Sequence, residues 1–125
     1  MKVAAYWNLH KNIFSIQSRE KENYGKVISH KDSVVIILPK FVVRQAGREK
    51  VLETKQKNVH AFVVGHMLSD NESFMFGAYD KPSLVYYNPH KYKQFVKADT
   101  KEEVLSADVV TLRMHNEKPV IEAYL

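Results

Sequence analysis

The sequence predicts an α+β domain built mostly from antiparallel strands, as a strongly bent sheet or small barrel carrying one main helix. Three observations lead there. Short runs rich in β-branched and aromatic residues recur along the 125 residues, separated by polar turns. Only the stretch from 42 to 57 has helical periodicity. The longest apolar run, Val34 to Leu38, fits a strand and is far too short for a membrane span.

Each element can be justified in order. Val3, Ala5 and Trp7 alternate with Ala4, Tyr6 and Asn8, and a polar turn at Asn8 to Asn12 leads into Ile13-Phe14-Ser15-Ile16, which reads as a hairpin. A charged loop over Ser18 to Asn23 precedes a short third strand, Tyr24 to His30. Ser33 to Leu38 is a continuous β-branched run closed by Pro39, expected to be core covered on both faces. Arg44 to Thr54 is the helix, with Val43, Ala46, Gly47, Val51 and Thr54 near one side. Gly47 inside it costs roughly 1 kcal/mol relative to alanine. It therefore marks either close packing on a sheet or an early break. Val59 to Leu68, apolar on both faces, reads as a central strand. After a polar turn at Ser69 to Glu72, Phe74-Met75-Phe76 and Leu84-Val85-Tyr86-Tyr87 read as strands around a turn at Asp80 to Ser83, and Asn88-Pro89 ends the second. Val104 to Met114 is a strand with Val110, Leu112 and Met114 on one face and Thr111 and Arg113 on the other. A loop at His115 to Lys118 returns it through Pro119 to Tyr124.

Residues 1–125 are read as a single domain, since no linker or repeat divides them. A hydrophobic fraction of 45% against 26% charged supplies a core and argues against disorder. The absence of cysteine mildly favours a reducing compartment, and Met1 to Leu9 is too soon interrupted for a signal-peptide core. The net charge of +5 is concentrated between Lys40 and His60, where six cations face two anions. Such a patch attracts phosphate-bearing partners or is simply a solvated helix face.

Catalytic chemistry finds little support. His60 and His66 stand roughly 20 Å apart along a strand, too far to share a metal ion, and His10, His30, His90 and His115 fall in or beside turns. No serine sits in a Gly-x-Ser-x-Gly elbow, and the four glycines are too dispersed for a phosphate loop. Glu102 and Glu103, as chain neighbours, point apart. No catalytic residue, metal or cofactor is assigned, although an enzyme working through Arg and Tyr stays compatible with the sequence. What remains is recognition chemistry. Arg44, Arg48, Lys57 and Arg113 can pair with phosphate, and Tyr86-Tyr87-Asn88-Pro89-His90-Lys91-Tyr92 offers rings to stack on a base and an amide to read its edge. One of Tyr86 and Tyr87 must face inward, and Asn88 before Pro89 is equally a turn residue.

Three stretches resemble a widespread group of small tailed-phage proteins: Tyr6 to Lys11; Gln45 to Leu52 leading to Lys57 to Val63; and Tyr87 to Lys91. The group is similar to the phage Thoeris anti-defence sponges. That resemblance implies a non-enzymatic trap in the host cell cytoplasm, a homo-oligomer that encloses a cyclic ADP-ribose signal, with cyclic oligonucleotides as a further ligand in some relatives. On the matching stretches, residue chemistry assigns Arg44, Arg48 and Arg113 to the diphosphate, Tyr87 or Phe76 to stacking on adenine, and Asn88 to base or ribose. Arg48 and Arg113 are expected to face outward. Two other readings remain: a nucleic-acid-binding protein using Lys40 to His60 against phosphates, and an inhibitor acting directly on a host enzyme.

Overall fold

The computed structural model describes residues 1–69 and 81–125. The expected strand Phe74-Met75-Phe76 and the ligand residue Phe76 lie outside them. Among the described residues nine strands form one antiparallel sheet: β1 (Lys2–Asn8), β2 (Ile13–Ser18), β3 (Val27–Lys31), β4 (Val34–Val43), β5 (Ala61–Met67), β6 (Ser83–Tyr86), β7 (Val96–Lys97), β8 (Val109–His115) and β9 (Lys118–Tyr124). The single helix among the described residues, α1 (Gln45–Thr54), joins β4 to β5. Among the described residues the strand order is β3-β2-β1-β5-β4-β8-β9-β6-β7, an open and bent sheet rather than a closed barrel.

The core lies on the concave face. Val3, Ala5, Phe14, Ile16, Val34, Ile36, Val63, Val85, Val110, Leu112 and Ala123 all point into it at period two and are buried. Phe95, carried just before β7, packs 5.1 Å from Phe41 of β4, ring to ring, so the β6–β7 end of the sheet folds over its middle. Met114, as expected from alternation, packs with Val110 and Leu112, while Arg113 points the other way and is exposed.

β4 departs from the sequence reading. Pro39 does not end the strand; the chain continues to Val43 through a bulge between Ile37 and Lys40. Val34 and Ile36 fill the core before the bulge, and Phe41 and Val43 after it, so the inserted residues reset the alternation. Leu38 takes a left-handed φ of 49° and is 71% exposed. Proline suits the bulge because it has no N–H to offer a ladder. Gly65 on β5 makes room: a Cβ there would lie 2.6 Å from Ile36 Cγ2 and 2.8 Å from the Ile37 carbonyl oxygen. At the other end, Asn116 and Glu117 both have positive φ and close β8 to β9 as a two-residue hairpin turn. The expected long strand from Val104 is shorter: Ser106 makes only an isolated bridge to Lys40, and β8 begins at Val109.

Helix α1 begins where expected but contributes no buried residue. Gly47, Arg48, Val51 and Leu52 are half-buried, whereas Ala46 and Thr54, expected on the packed side, are exposed. Between the two explanations for Gly47, the structure selects close packing. A Cβ at 47 would fall 2.5 Å from His60 Cβ. Lys55 ends the helix in the left-handed conformation, φ 59°, its N–H donating to the Val51 carbonyl oxygen at 3.0 Å.

Candidate functional site

Among the described residues the bent sheet does not close, and its concave face opens into a cavity of about 640 Å³. The floor is core: Ala5, Trp7, Phe14, Val63, Val85 and Leu112. Cationic and titratable side chains stand at the mouth, where Lys55, Lys57, His10 and His90 are exposed. The volume falls within the range of small-molecule sites, which pair an apolar interior with a few placed polar groups.

Local sequence explains how the mouth is built. Asn8 at the end of β1 accepts the backbone N–H groups of His10 and Lys11 on its side-chain oxygen, both at 3.0 Å, which fixes the turn that carries His10. Asn88 does the same after β6. Its side-chain oxygen accepts the His90 N–H at 2.9 Å, and its carbonyl accepts the N–H groups of Lys91 and Tyr92. Two asparagine turns thus place one histidine each at the rim. The third part of the rim is the strip from the left-handed Lys55 to Asn58, between α1 and β5.

One wall holds a chain of polar groups. His60, only 7% exposed, presents Nδ1 to the Asn58 carbonyl oxygen at 2.8 Å, which makes that nitrogen the donor and leaves Nε2 an acceptor. The Tyr87 hydroxyl, 2.7 Å from Nε2, therefore donates to it. Arg48 lies beside the same phenol and donates from Nε to the Tyr92 carbonyl oxygen at 3.0 Å. Burial pushes the Tyr87 phenol above its ordinary value, and the Arg48 charge opposes that rise. The Tyr87 ring packs on Phe95 at 5.3 Å and meets His60 edge-on at 5.4 Å. With its hydroxyl held by His60, Tyr87 offers the cavity its ring.

The six ligand residues expected from sequence do not form one cluster. Arg48 and Tyr87 come together, but Arg48 is half-buried rather than outward-facing. Asn88 is adjacent, its carboxamide oxygen occupied by the turn. Arg44 precedes the helix and lays its guanidinium 5.1 Å over Phe62, on the opposite face of β5 from Val63. Arg113 is exposed on the opposite face of β8 from Leu112 and pairs with Glu122 of β9. Phe76 is outside the described residues. Of Tyr86 and Tyr87, it is Tyr87 that joins the core, while Tyr86 pairs with Tyr92.

Sequence reasoning gave no ligand role to Trp7, His10, Lys55 and His60, and named Lys57 and His90 within the recognition chemistry without assigning them to the site. The signal was present in another form. The stretches that carry the family resemblance, around Tyr6 to His10, Lys57 to Val63 and Tyr87 to His90, converge on this one cavity. Among the described residues, no group of three or more His, Asp or Glu side chains could hold a metal ion, and no helix is long and apolar enough to cross a membrane.

Fold and cavity together define the class: an open antiparallel sheet, bent around a pocket with an apolar floor and a cationic rim. The particular family follows from sequence. Residues 1–119 match the family described as Mycobacterium phage L5 gene 82 protein, and the chain belongs to that phage protein family. The Gene 82 protein of Mycobacterium phage L5 is 36% identical over 118 residues, covering 90% of each chain. Both names give a phage and a gene rather than an activity. No solved structure matches the chain.

Proposed function

We propose that this phage protein captures a compact anionic metabolite with an aromatic portion and holds it without chemical change. The cavity carries the reading. Its roughly 640 Å³ would accept a nucleotide-sized ligand, with rings against Trp7 and the Tyr87–Phe95 stack and phosphate toward Lys55, Lys57, His10 and His90. The polar wall is saturated internally, His60 by Asn58 and Tyr87, so it fits a scaffold that binds better than a nucleophile or base poised for reaction.

In the form implied by the resemblance to Thoeris anti-defence sponges, the ligand is a cyclic ADP-ribose-type signal and capture in the host cytoplasm keeps an immune effector inactive. A second subunit across the exposed rim would complete the enclosure a tight trap needs. Such a trap must reach roughly nanomolar affinity, about −12 kcal/mol, which requires most of the ligand to be buried. The test is to incubate the purified protein with cyclic ADP-ribose isomers and linear nucleotides, remove free ligand, denature, and identify what is released. Stoichiometric recovery of intact ligand supports capture; a hydrolysed product shows an enzyme; no retained nucleotide removes the proposal.

A further inference from the structure

A second cationic and aromatic surface adjoins the cavity at Tyr86 and draws on two segments far apart in sequence. The first turns of α1 are tied to the loop after β6 by two side chains: Gln45 Nε2 donates to the Lys93 carbonyl oxygen at 2.8 Å, and Arg48 Nε to that of Tyr92 at 3.0 Å. This docks the basic helix segment against a run carrying Lys91 and Lys93, both exposed. On the same side, Tyr86 and Tyr92 meet edge to face at 5.7 Å and share a hydrogen bond at 3.1 Å. Lys101 sits 5.1 Å over the Tyr86 ring and is anchored by donating to the Ala98 carbonyl oxygen. The Tyr86 phenol is held below its ordinary value by the hydrogen bond with Tyr92 first, against the effect of burial, and then by Lys101 and Lys91. Asp99, Glu102 and Glu103 lie on the turn beyond and border the surface.

We infer that the surface formed by Tyr86, Tyr92, Lys91, Lys93 and Lys101 beside Arg48 binds single-stranded nucleic acid. Two exposed lysines, Lys91 and Lys93, with the anchored Lys101 beside a fixed pair of rings, match a flexible phosphodiester chain whose bases can turn outward to stack. A rigid duplex keeps its bases stacked on each other and gains only the charge contacts. This inference does not rest on the cavity reading: Tyr86 is shared with the cavity lining, but none of the three lysines is.

The experiment is fluorescence anisotropy with a labelled 20-nucleotide single strand and a duplex of the same sequence, at salt concentrations from 50 to 200 mM. Three phosphate contacts on a single strand give a log–log salt slope of about −2, so affinity should fall roughly 20-fold across that range. Replacing Lys91, Lys93 and Lys101 together by serine should flatten the slope toward zero and weaken binding at 50 mM at least tenfold. Tyr92→Ser should weaken the single strand several-fold while leaving the duplex nearly unchanged. A cavity-filling Val85→Trp, checked for a retained fold by circular dichroism, should leave strand binding as it is. Absence of strand binding by the parent protein at 50 mM, an unaltered slope in the triple variant, or equal affinity for duplex and single strand would each overturn the assignment. Since Val85→Trp should abolish cavity ligand capture and spare strand binding, failure of one reading is distinguishable from failure of the other.

Discussion

Replacing Gly47 by alanine sets two opposing effects against each other on the helix that frames the site. In an isolated helix the change would stabilise by roughly 1 kcal/mol, because alanine loses less backbone freedom on folding. Here the new methyl would sit 2.5 Å from His60 Cβ, where ordinary contact is 3.4–4 Å, and 3.2 Å from Asn58 Nδ2. The obstacle is a Cβ, which moves only with its backbone, so the helix and the 58–60 strip must separate by about 1 Å. Overpacking costs about 1–3 kcal/mol, and an overlap near 1 Å against a backbone-fixed Cβ, which also strains the bond from Tyr87 to His60, belongs to the upper part of that range, about 2–3 kcal/mol. The clash wins over the propensity gain, with a net loss of about 1–2 kcal/mol. For a chain of 125 residues this lowers Tm by about 4–8 °C. Thermal melts followed by circular dichroism measure it. The cost should persist in the background of His60→Ala, which keeps the Cβ, and disappear in that of His60→Gly. An unchanged or raised Tm for Gly47→Ala would refute the argument from close approach.

Other substitutions separate stability from capture. Lys55→Gly should raise stability by about 1 kcal/mol in chemical denaturation, since glycine carries no penalty at a left-handed helix end, yet weaken cavity ligand binding by removing a cation from the rim. Arg113→Ala should cost under about 1 kcal/mol, as expected for an exposed pair with Glu122, and leave capture intact; calorimetry showing capture lost would contradict the cavity as the site. Tyr87→Phe should cost about 1–2 kcal/mol by leaving His60 Nε2 without its donor, while preserving the ring face. The same phenol gives a pH signature. Its folded value lies above the unfolded value near 10, so its contribution to stability is complete below pH 10 and is lost as pH rises through the folded value; the loss should be absent from Tyr87→Phe in urea titrations between pH 9 and 11.5.

Local chemistry was enough to place most elements, because a strand announces its inward face every second residue and a turn its asparagine, proline or glycine. The pairing of Val110, Leu112 and Met114 on one face, the helix after Val43 and the rule that one of two adjacent tyrosines faces inward followed from period alone; that it is Tyr87 was the structure's choice. The bulge at Leu38 and Pro39 did not, since a proline reads as a stop unless a glycine on the neighbouring strand, here Gly65, opens space for the chain to continue. Charge along the sequence likewise marked a basic segment but could not say where each cation points. Arg44 and Arg48, four residues apart, end on Phe62 and beside Tyr87 respectively, on different sides of β5. Composition and periodicity thus marked most of the residues that form strands, helix and turns, though not the run of β4 past Pro39, the late start of β8 or the short β7. Only the bend of the sheet decided that Trp7, Lys57 and Tyr87 share one cavity, because contacts between distant segments depend on how the whole sheet curves and not on any local pattern.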